Sequence, residues 1–455
     1  MAGIGFNLKK ILDQQTLQST LAAYFYTGLV TSGPWLFSVI ALSIITIWGQ
    51  TLSSKIIVDQ FMVLVIYAFA MSMVLTGGTQ MVITRQVSDC LYSHEDSKVL
   101  GIFTGTLLLT LYMATIFALA VLWLFELPLQ TLFLYFVLFV LACLMWVCMV
   151  FVSALKDYMR IVWAFLLGFI ISIPATLMAG QQWGLNGFLS GLNLGLCVIV
   201  YILIASIVVE FKGSFSPSNL VFQAHWKYWP LYLTGMAASL GIWVDKAVFW
   251  YGEGAPVLGP LRVYPLYDGA LFVAYLTVLP AMAFFVMIIE TDFYESFRRY
   301  FFLIDEKAPF GTLEEARSEL IRQLKSNSAR ILAFQIFLTT VILFISPWLI
   351  LTLNLTWFQW GIFRIACVGA FFHMAFSLIG IVLAYFDCRR ELLFLNVFFL
   401  VVNFAVTWAS LGHFWSYGIG YLVAGWSTAL LGLLIVAYRF KRLHYYTFVT
   451  PQAGT

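Results

Sequence analysis

The chain has 455 residues, of which 62% are hydrophobic and 10% charged, against roughly 45–50% and about 25% in soluble domains. A soluble fold of this length lacks the interior to hide so much apolar surface, so lipid is the expected solvent. The formal net charge of +3 is too small, and its basic residues too scattered, for a nucleic-acid binder.

The opening stretch MAGIGFNLKKILDQQTLQ carries two lysines and no small-residue cleavage site before the first long apolar run, so insertion through the protein's own helices is expected. A spanning helix needs about 20 mostly apolar residues. Twelve stretches qualify: roughly 20–48, 59–84, 99–124, 131–155, 159–179, 185–209, 228–252, 266–290, 329–353, 358–386, 391–411 and 414–438. With the N-terminus inside, 20 of the 24 Lys and Arg fall in cytoplasmic loops or tails. Only Lys55 and Arg262 fall outside, and Lys246 and Arg364 lie within spans. This bias fits twelve spans with both termini cytoplasmic. Trp48, Trp123, Trp183, Trp250, Trp357, Trp360 and Trp415 crowd the outer boundary as an aromatic belt would.

One inner connection, 291–328, is long. It reads as an amphipathic extension of the eighth span, then a new helix with Thr312 and Glu315 at capping-box spacing. It is either a solvated connector or a docking surface for cytoplasmic partners.

The first and seventh spans share a pattern. YTGLVTSGPW and YLTGMAASLGIW align at an offset of 207, placing Thr27, Gly28 and Ser32 on Thr234, Gly235 and Ser239. Both helices start inside, so two parallel six-helix repeats around a central cavity are expected. The expected organisation is an all-α membrane protein. It comprises an amphipathic segment 1–19, a lobe 20–211, a lobe 212–438 with a cytoplasmic helical insertion 291–328, and a tail 439–455.

The seventh span raises the sharpest question, because Asp245 and Lys246 stand side by side in it. At 3.6 residues per turn, Thr234, Ala238, Gly241 and Asp245 share a face, with Gly235, Ser239 and Lys246 beside it. The charges therefore lie on the small, polar side, which is expected to face the bundle interior. A mid-membrane charge needs a partner or a wet cavity. Asp245 is 18 residues beyond Lys227, about 27 Å along the helix and so in the outer half. Arg364 and Asp268 lie near the same depth. Either Asp245 pairs with Arg364 or Lys246 and locks helices, or these groups contact a polar substrate. Thr27 and Thr31 continue the polar stripe in the first span, and Pro34 is a hinge or a tolerated kink there. His373 reads as a packing residue. Gly77 and Gly78 read as a site of close helix approach. The candidate substrate-pathway set is Asp245, Lys246, Arg364, Asp268, Thr27, Thr31 and Thr234, with Pro34 as candidate hinge.

No phosphate-binding GxxxxGK[ST] and no HExxH occurs, so neither a built-in ATPase nor a metalloprotease is expected. No catalytic residues, cofactor or metal are assigned. The six cysteines form no CxxC pair and read as core residues.

The start MAGIGFNLKKIL, TSGPW in the first span, TGGTQMVITRQVSD in the second and WVDKAVFW in the seventh resemble the PelG family of exopolysaccharide transporters. The resemblance covers essentially the whole chain. It implies the fold of the multidrug/oligosaccharide/polysaccharide flippase superfamily and a bacterial inner-membrane location. It also implies passage of a hexosamine-rich polymer to the periplasm for a biofilm matrix. The implied partners are a cytosolic glycosyltransferase and membrane proteins of the Pel synthase complex, one of them a cyclic-di-GMP receptor. The alternatives are a cation-coupled small-molecule antiporter of the same superfamily and a scaffold for the synthase.

Overall fold

The computed structural model describes residues 17–121, 127–155, 158–288, 293–353 and 355–449. The amphipathic start expected over 1–19 lies outside them except for its last three residues, as does the end of the tail.

Five long helices come first: α1 (Leu17–Leu52), α2 (Lys55–Tyr92), α3 (Val99–Val121), α4 (Leu129–Ala154) and α5 (Tyr158–Glu210). A short linking helix α6 (Leu220–Lys227) leads to α7 (Trp229–Gly252). An antiparallel hairpin, β1 (Ala255–Leu258) and β2 (Leu261–Val263), precedes α8 (Pro265–Leu276) and α9 (Leu279–Ile288). Then follow α10 (Tyr294–Asp305), α11 (Phe310–Thr352), α12 (Trp357–Tyr385), α13 (Arg389–Ser410), α14 (Ile419–Lys441) and α15 (Leu443–Phe448). Among the described residues, ten helical segments are long and apolar enough to cross a membrane, with α8 and α9 together forming one of them. The charged and polar α7 is not among the ten.

At 53 residues α5 is unusually long. As one rod it would extend roughly 80 Å, more than twice a hydrocarbon core of about 30 Å. It breaks at Gly184, where φ is 56° and ψ −134°, a conformation that a side chain rarely permits. The two arms fold back on each other. A Cβ on Gly187 would lie 1.9 Å from the Ala179 carbonyl oxygen, one on Gly191 2.3 Å from Thr176 Cα, and one on Gly195 2.3 Å from Ser172 Cβ. One partner climbs as the other descends, so the arms are antiparallel. Arg160 and Glu210 close the pair at its open end, 3.0 Å apart.

The described residues divide into two compact units. The N-terminal unit holds Ser32–Trp243 and Phe249–Tyr264; the C-terminal unit holds the residues up to Thr31, Val244–Val248 and those from Pro265 onward. In the N-terminal unit α2 packs on α4, α4 on α5, and the arms of α5 on each other. Asn193 Nδ2 donates to the Leu134 carbonyl at 2.9 Å, so α4 meets the second arm. In the C-terminal unit α8 packs on α12, α12 on α14, and α13 on α14. The order of packing is the same in both units.

Within the N-terminal unit, α2 and α7 touch backbone to backbone. A Cβ on Gly235 would lie 2.1 Å from the Gly77 carbonyl oxygen, and one on Gly78 would lie 2.7 Å from the Tyr232 ring. Gly77 and Gly78 are thus the close-approach site read from the sequence. The connection after α7 is held by side chains of α2 and α7. The Tyr67 hydroxyl donates to the Arg262 carbonyl at 2.8 Å, and the Tyr67 ring stacks on Trp250 at 4.8 Å. Trp250 is only 4% exposed. It is a core residue beside Leu261 and Val263 of the hairpin, which corrects its place in the aromatic belt. Trp48, Trp183, Trp357 and Trp415 are exposed, as a belt requires.

In the C-terminal unit the inner connection forms two helices. Amphipathic α10 buries Tyr300 and packs Phe297 against Tyr385, ring centroids 5.4 Å apart. The second helix starts at Phe310 with Pro309 as N-cap, not at Thr312. Extended backbone at Pro309 (φ −56°, ψ 147°) sets the boundary, leaving Thr312 inside the first turn. From there α11 runs without a break to Thr352, so connector and span are one rod. His444 of α15 joins Tyr300 (3.0 Å) and Glu314 (2.8 Å), tying the connection to the end of the chain's last long helix.

Candidate functional site

Helix α7 carries its polar side inward as its periodicity predicts. Thr234, Ser239, Asp245 and Lys246 are buried, whereas Leu233 and Leu240 are exposed. The opposite face is not uniformly apolar-exposed, because Ala237 and Val248 are buried as well.

Asp245 and Lys246 belong with the C-terminal unit, and their environment there shows how two adjacent charges are accommodated in an apolar helix. Asp245 is fully buried and Lys246 is 7% exposed. Their ion pair is 3.4 Å long, well beyond the roughly 2.7–2.9 Å of a strong charge-assisted bond. Adjacent residues leave a helix about 100° apart, so a direct pair cannot be ideal. Tyrosines complete the coordination. The Tyr267 hydroxyl donates to Asp245 Oδ2 at 2.8 Å. Lys246 Nζ donates to the Tyr275 hydroxyl at 3.0 Å. The Tyr275 ring in turn packs edge-on against that of Tyr421 of α14, centroids 5.6 Å apart. The result is a buried chain, Tyr267–Asp245–Lys246–Tyr275–Tyr421, that fixes residues 244–248 to α8 and α14. His373 of α12 borders it, its ring 5.5 Å from that of Tyr421 and 4.8 Å from that of Phe399.

The other sequence candidates fall elsewhere. Arg364 is exposed, and its guanidinium lies 4.8 Å from the Trp360 ring centroid, one turn away on α12. It is not the partner of Asp245. Asp268 is half-buried in the first turn of α8, where the helix N-terminus favours a negative charge. It neighbours Tyr267 and so stands at the edge of the network. The three threonines bond back into their own helices. Thr27 Oγ1 donates to Ala23 O at 2.7 Å, Thr31 Oγ1 to Thr27 O at 2.8 Å, and Thr234 Oγ1 to Pro230 O at 2.7 Å. Helix α1 continues through Pro34. The interruption occurs instead near Pro280, between α8 and α9. There Tyr24 of α1 donates to the Pro280 carbonyl at 2.7 Å, and Gln335 of α11 donates to the Thr277 carbonyl at 3.3 Å. The Thr277 carbonyl, left between the two helices, is thus satisfied by a side chain of another helix.

Sequence reasoning missed Tyr267, Tyr275, Tyr421 and Gln335. The eight-residue spacing of Tyr267 and Tyr275 was a usable signal, since it sets both near one side of a helix. Tyr421, four residues beyond Tyr417, and Gln335, the one glutamine of its span, follow no pattern that points to this site. No cluster of three His, Cys, Asp or Glu that could hold a metal occurs among the described residues.

The family model described as "PelG: Putative exopolysaccharide Exporter (EPS-E)" matches residues 1–448. The chain belongs to the PelG family of exopolysaccharide exporters. The fold is that of multidrug transporters of the MOP superfamily. The solved structure described as "Crystal structure of MATE in the bent conformation" shares 14% identity and a TM-score of 0.64, covering 97% of this chain and 97% of that one. The one "in the straight conformation" shares 13% identity at a TM-score of 0.64, covering 92% and 96%. A MOP superfamily transporter from Pyrococcus furiosus, described under "Reverse polarity of binding pocket suggests different function", shares 15% identity at a TM-score of 0.59, covering 92% and 96%. No curated protein matches the chain by sequence. Family and fold together make this a multi-pass membrane transporter.

Proposed function

We propose that the chain is the inner-membrane exporter of a hexosamine-rich exopolysaccharide, working as the membrane-spanning member of a Pel synthase complex. The observation that carries this reading is the family match over nearly the whole chain. Twelve spans follow when α5 is counted as two arms and α7 is added to the ten clear candidates. Two six-helix lobes, 20–211 and 212–438, then account for the repeated packing order. Both termini lie in the cytoplasm, on the side of most basic residues. A cytosolic glycosyltransferase would deliver the polymer, and the α10–α11 connection offers it a docking face.

The Asp245–Lys246 network acts in this reading as a lock within the C-terminal unit. Arg364, exposed and stacked on Trp360, is the better candidate for substrate contact. Thr27, Thr31 and Thr234 shape the polar stripes without offering free hydroxyl protons. Solved relatives of this fold are described as straight and bent, which supports Pro34 in α1 as the hinge, with Pro280 as a second weak point.

The test is secretion. Removing the protein from a polymer-producing strain abolishes extracellular hexosamine polymer, and the wild-type chain restores it. Arg364→Gln lowers secretion at least threefold while membrane levels stay normal. Undiminished secretion without the protein overturns the reading. Efflux of small cations or drugs by vesicles lacking the synthase would favour the antiporter instead.

A further inference from the structure

Away from the Asp245 network, the N-terminal unit holds a groove of about 850 Å³ between α6, the start of α7 and α3. That is in the range of small-molecule sites, about 300–1,000 Å³. Its two ends differ in chemistry. Leu109 and Met113 of α3 form an apolar wall, roughly 15 and 21 Å along the axis from the start of that helix. With a hydrocarbon core of about 30 Å, this wall reaches mid-membrane.

The other end is aromatic and cationic. Phe222, Trp226 and Trp229 line it at i, i+4 and i+7, and they are 62%, 87% and 53% exposed. Lys227 stands among them, exposed, its ammonium 5.2 Å from the Tyr228 ring centroid. His225 is fixed by the Val221 carbonyl (2.7 Å) and Thr79 Oγ1 (3.3 Å). Burial pulls its pKa below the usual histidine value, so at neutral pH the positive charge here belongs to Lys227. Gln86 Nε2 holds the Leu220 carbonyl at 2.9 Å, and the Tyr228 hydroxyl holds Asp89 at 2.7 Å. These bonds pin α6 at both ends, so its aromatic stripe stays turned outward. A short helix showing aromatics and a lysine together is built for the headgroup boundary.

We propose that this groove binds one anionic phospholipid. An acyl chain lies along Leu109 and Met113, and the phosphate sits at Lys227. The apolar wall runs inward from the lysine of the groove lining, which matches a lipid's own division into chain and headgroup.

Native mass spectrometry of the purified full chain tests this, with phosphatidylglycerol and phosphatidylethanolamine supplied in equal amounts. The wild type retains one phosphatidylglycerol in preference to phosphatidylethanolamine. Lys227→Glu reverses the charge and lowers the bound fraction at least fivefold. Met113→Trp fills the wall and does the same. Lys212→Glu, an exposed linker lysine that does not line the groove, leaves binding unchanged. Thermal melts of all variants verify folding. Unchanged retention in either groove variant, equal retention of the two lipids, or a retained saccharide in place of lipid overturns the proposal. None of these readouts depends on export, so a failed secretion test leaves this one intact.

Discussion

Asp245 and Lys246 show what adjacent charges need in order to be buried on one helix. Their own bond is long, and the tyrosines of α8 supply the shorter contacts. Removing the Tyr267 hydroxyl leaves a buried carboxylate oxygen without its donor, at a cost of about 1–3 kcal/mol. Tyr267→Phe therefore lowers the thermal midpoint in detergent while preserving helix content. Asp245→Asn is worse, because it leaves a buried ammonium uncompensated, and breaking such pairs typically costs about 3–5 kcal/mol. The double change Asp245→Asn with Lys246→Gln restores part of that loss. A double-mutant cycle with coupling below about 0.5 kcal/mol would show that the two charges act independently. The helical face of these residues was legible in the sequence from 3.6-residue periodicity. Their pairing with particular tyrosines was not, for the spacing of Tyr267 and Tyr275 marks a shared side of α8 but not what that side meets. Tyr267 and Tyr275 lie on another helix, and a tyrosine in a membrane span is unremarkable until its hydroxyl is seen to have a use.

Elements show where a repeat in sequence is not a repeat in function. Gly28 and Gly235 align between the first and seventh spans, yet only Gly235 is at a backbone contact. A Cβ on Gly28 would meet Ala283 Cβ at an ordinary 3.8 Å, whereas one on Gly235 would lie 2.1 Å from a carbonyl oxygen. Gly28→Ala is thus expected to leave membrane accumulation and melting unchanged. Gly235→Ala forces α2 and α7 apart and reduces both. Equal behaviour of the two variants would refute the close packing. The arms of α5 were legible because GQQWGLNG interrupts two apolar runs. The β1–β2 hairpin was not, since strands of four and three residues carry no periodicity worth reading. Nor was the start of α11, where the fixed backbone of Pro309 set the boundary before Thr312 could.

The whole molecule combines two units that pack their helices in the same order. That order, with the bias of basic residues, makes a topology prediction. On a cysteine-free background, cysteines placed at Lys55 and Arg262 react with an impermeant maleimide from the periplasm. Cysteines at Lys212, Lys325 and Arg442 react only after permeabilisation. Labelling of either group from the wrong side would remove a span or invert the orientation. The fold class was legible because composition and charge bias act over hundreds of residues. The division of α1 and α7 between units was not, because it depends on which neighbours each half of a helix finds.

The polar character of α7 also bears on how the protein is made. During synthesis α7 emerges before Tyr267 and Tyr275 exist, so its two charges first meet lipid without their tyrosines. Alone, it is a poor candidate to leave the translocon sideways, consistent with its absence from the ten clear membrane helices. Integration of α7 together with α8 is therefore the expected outcome. A chain truncated after residue 253 and fused to a glycosylation reporter integrates α7 poorly, whereas one extended through residue 288 integrates it well.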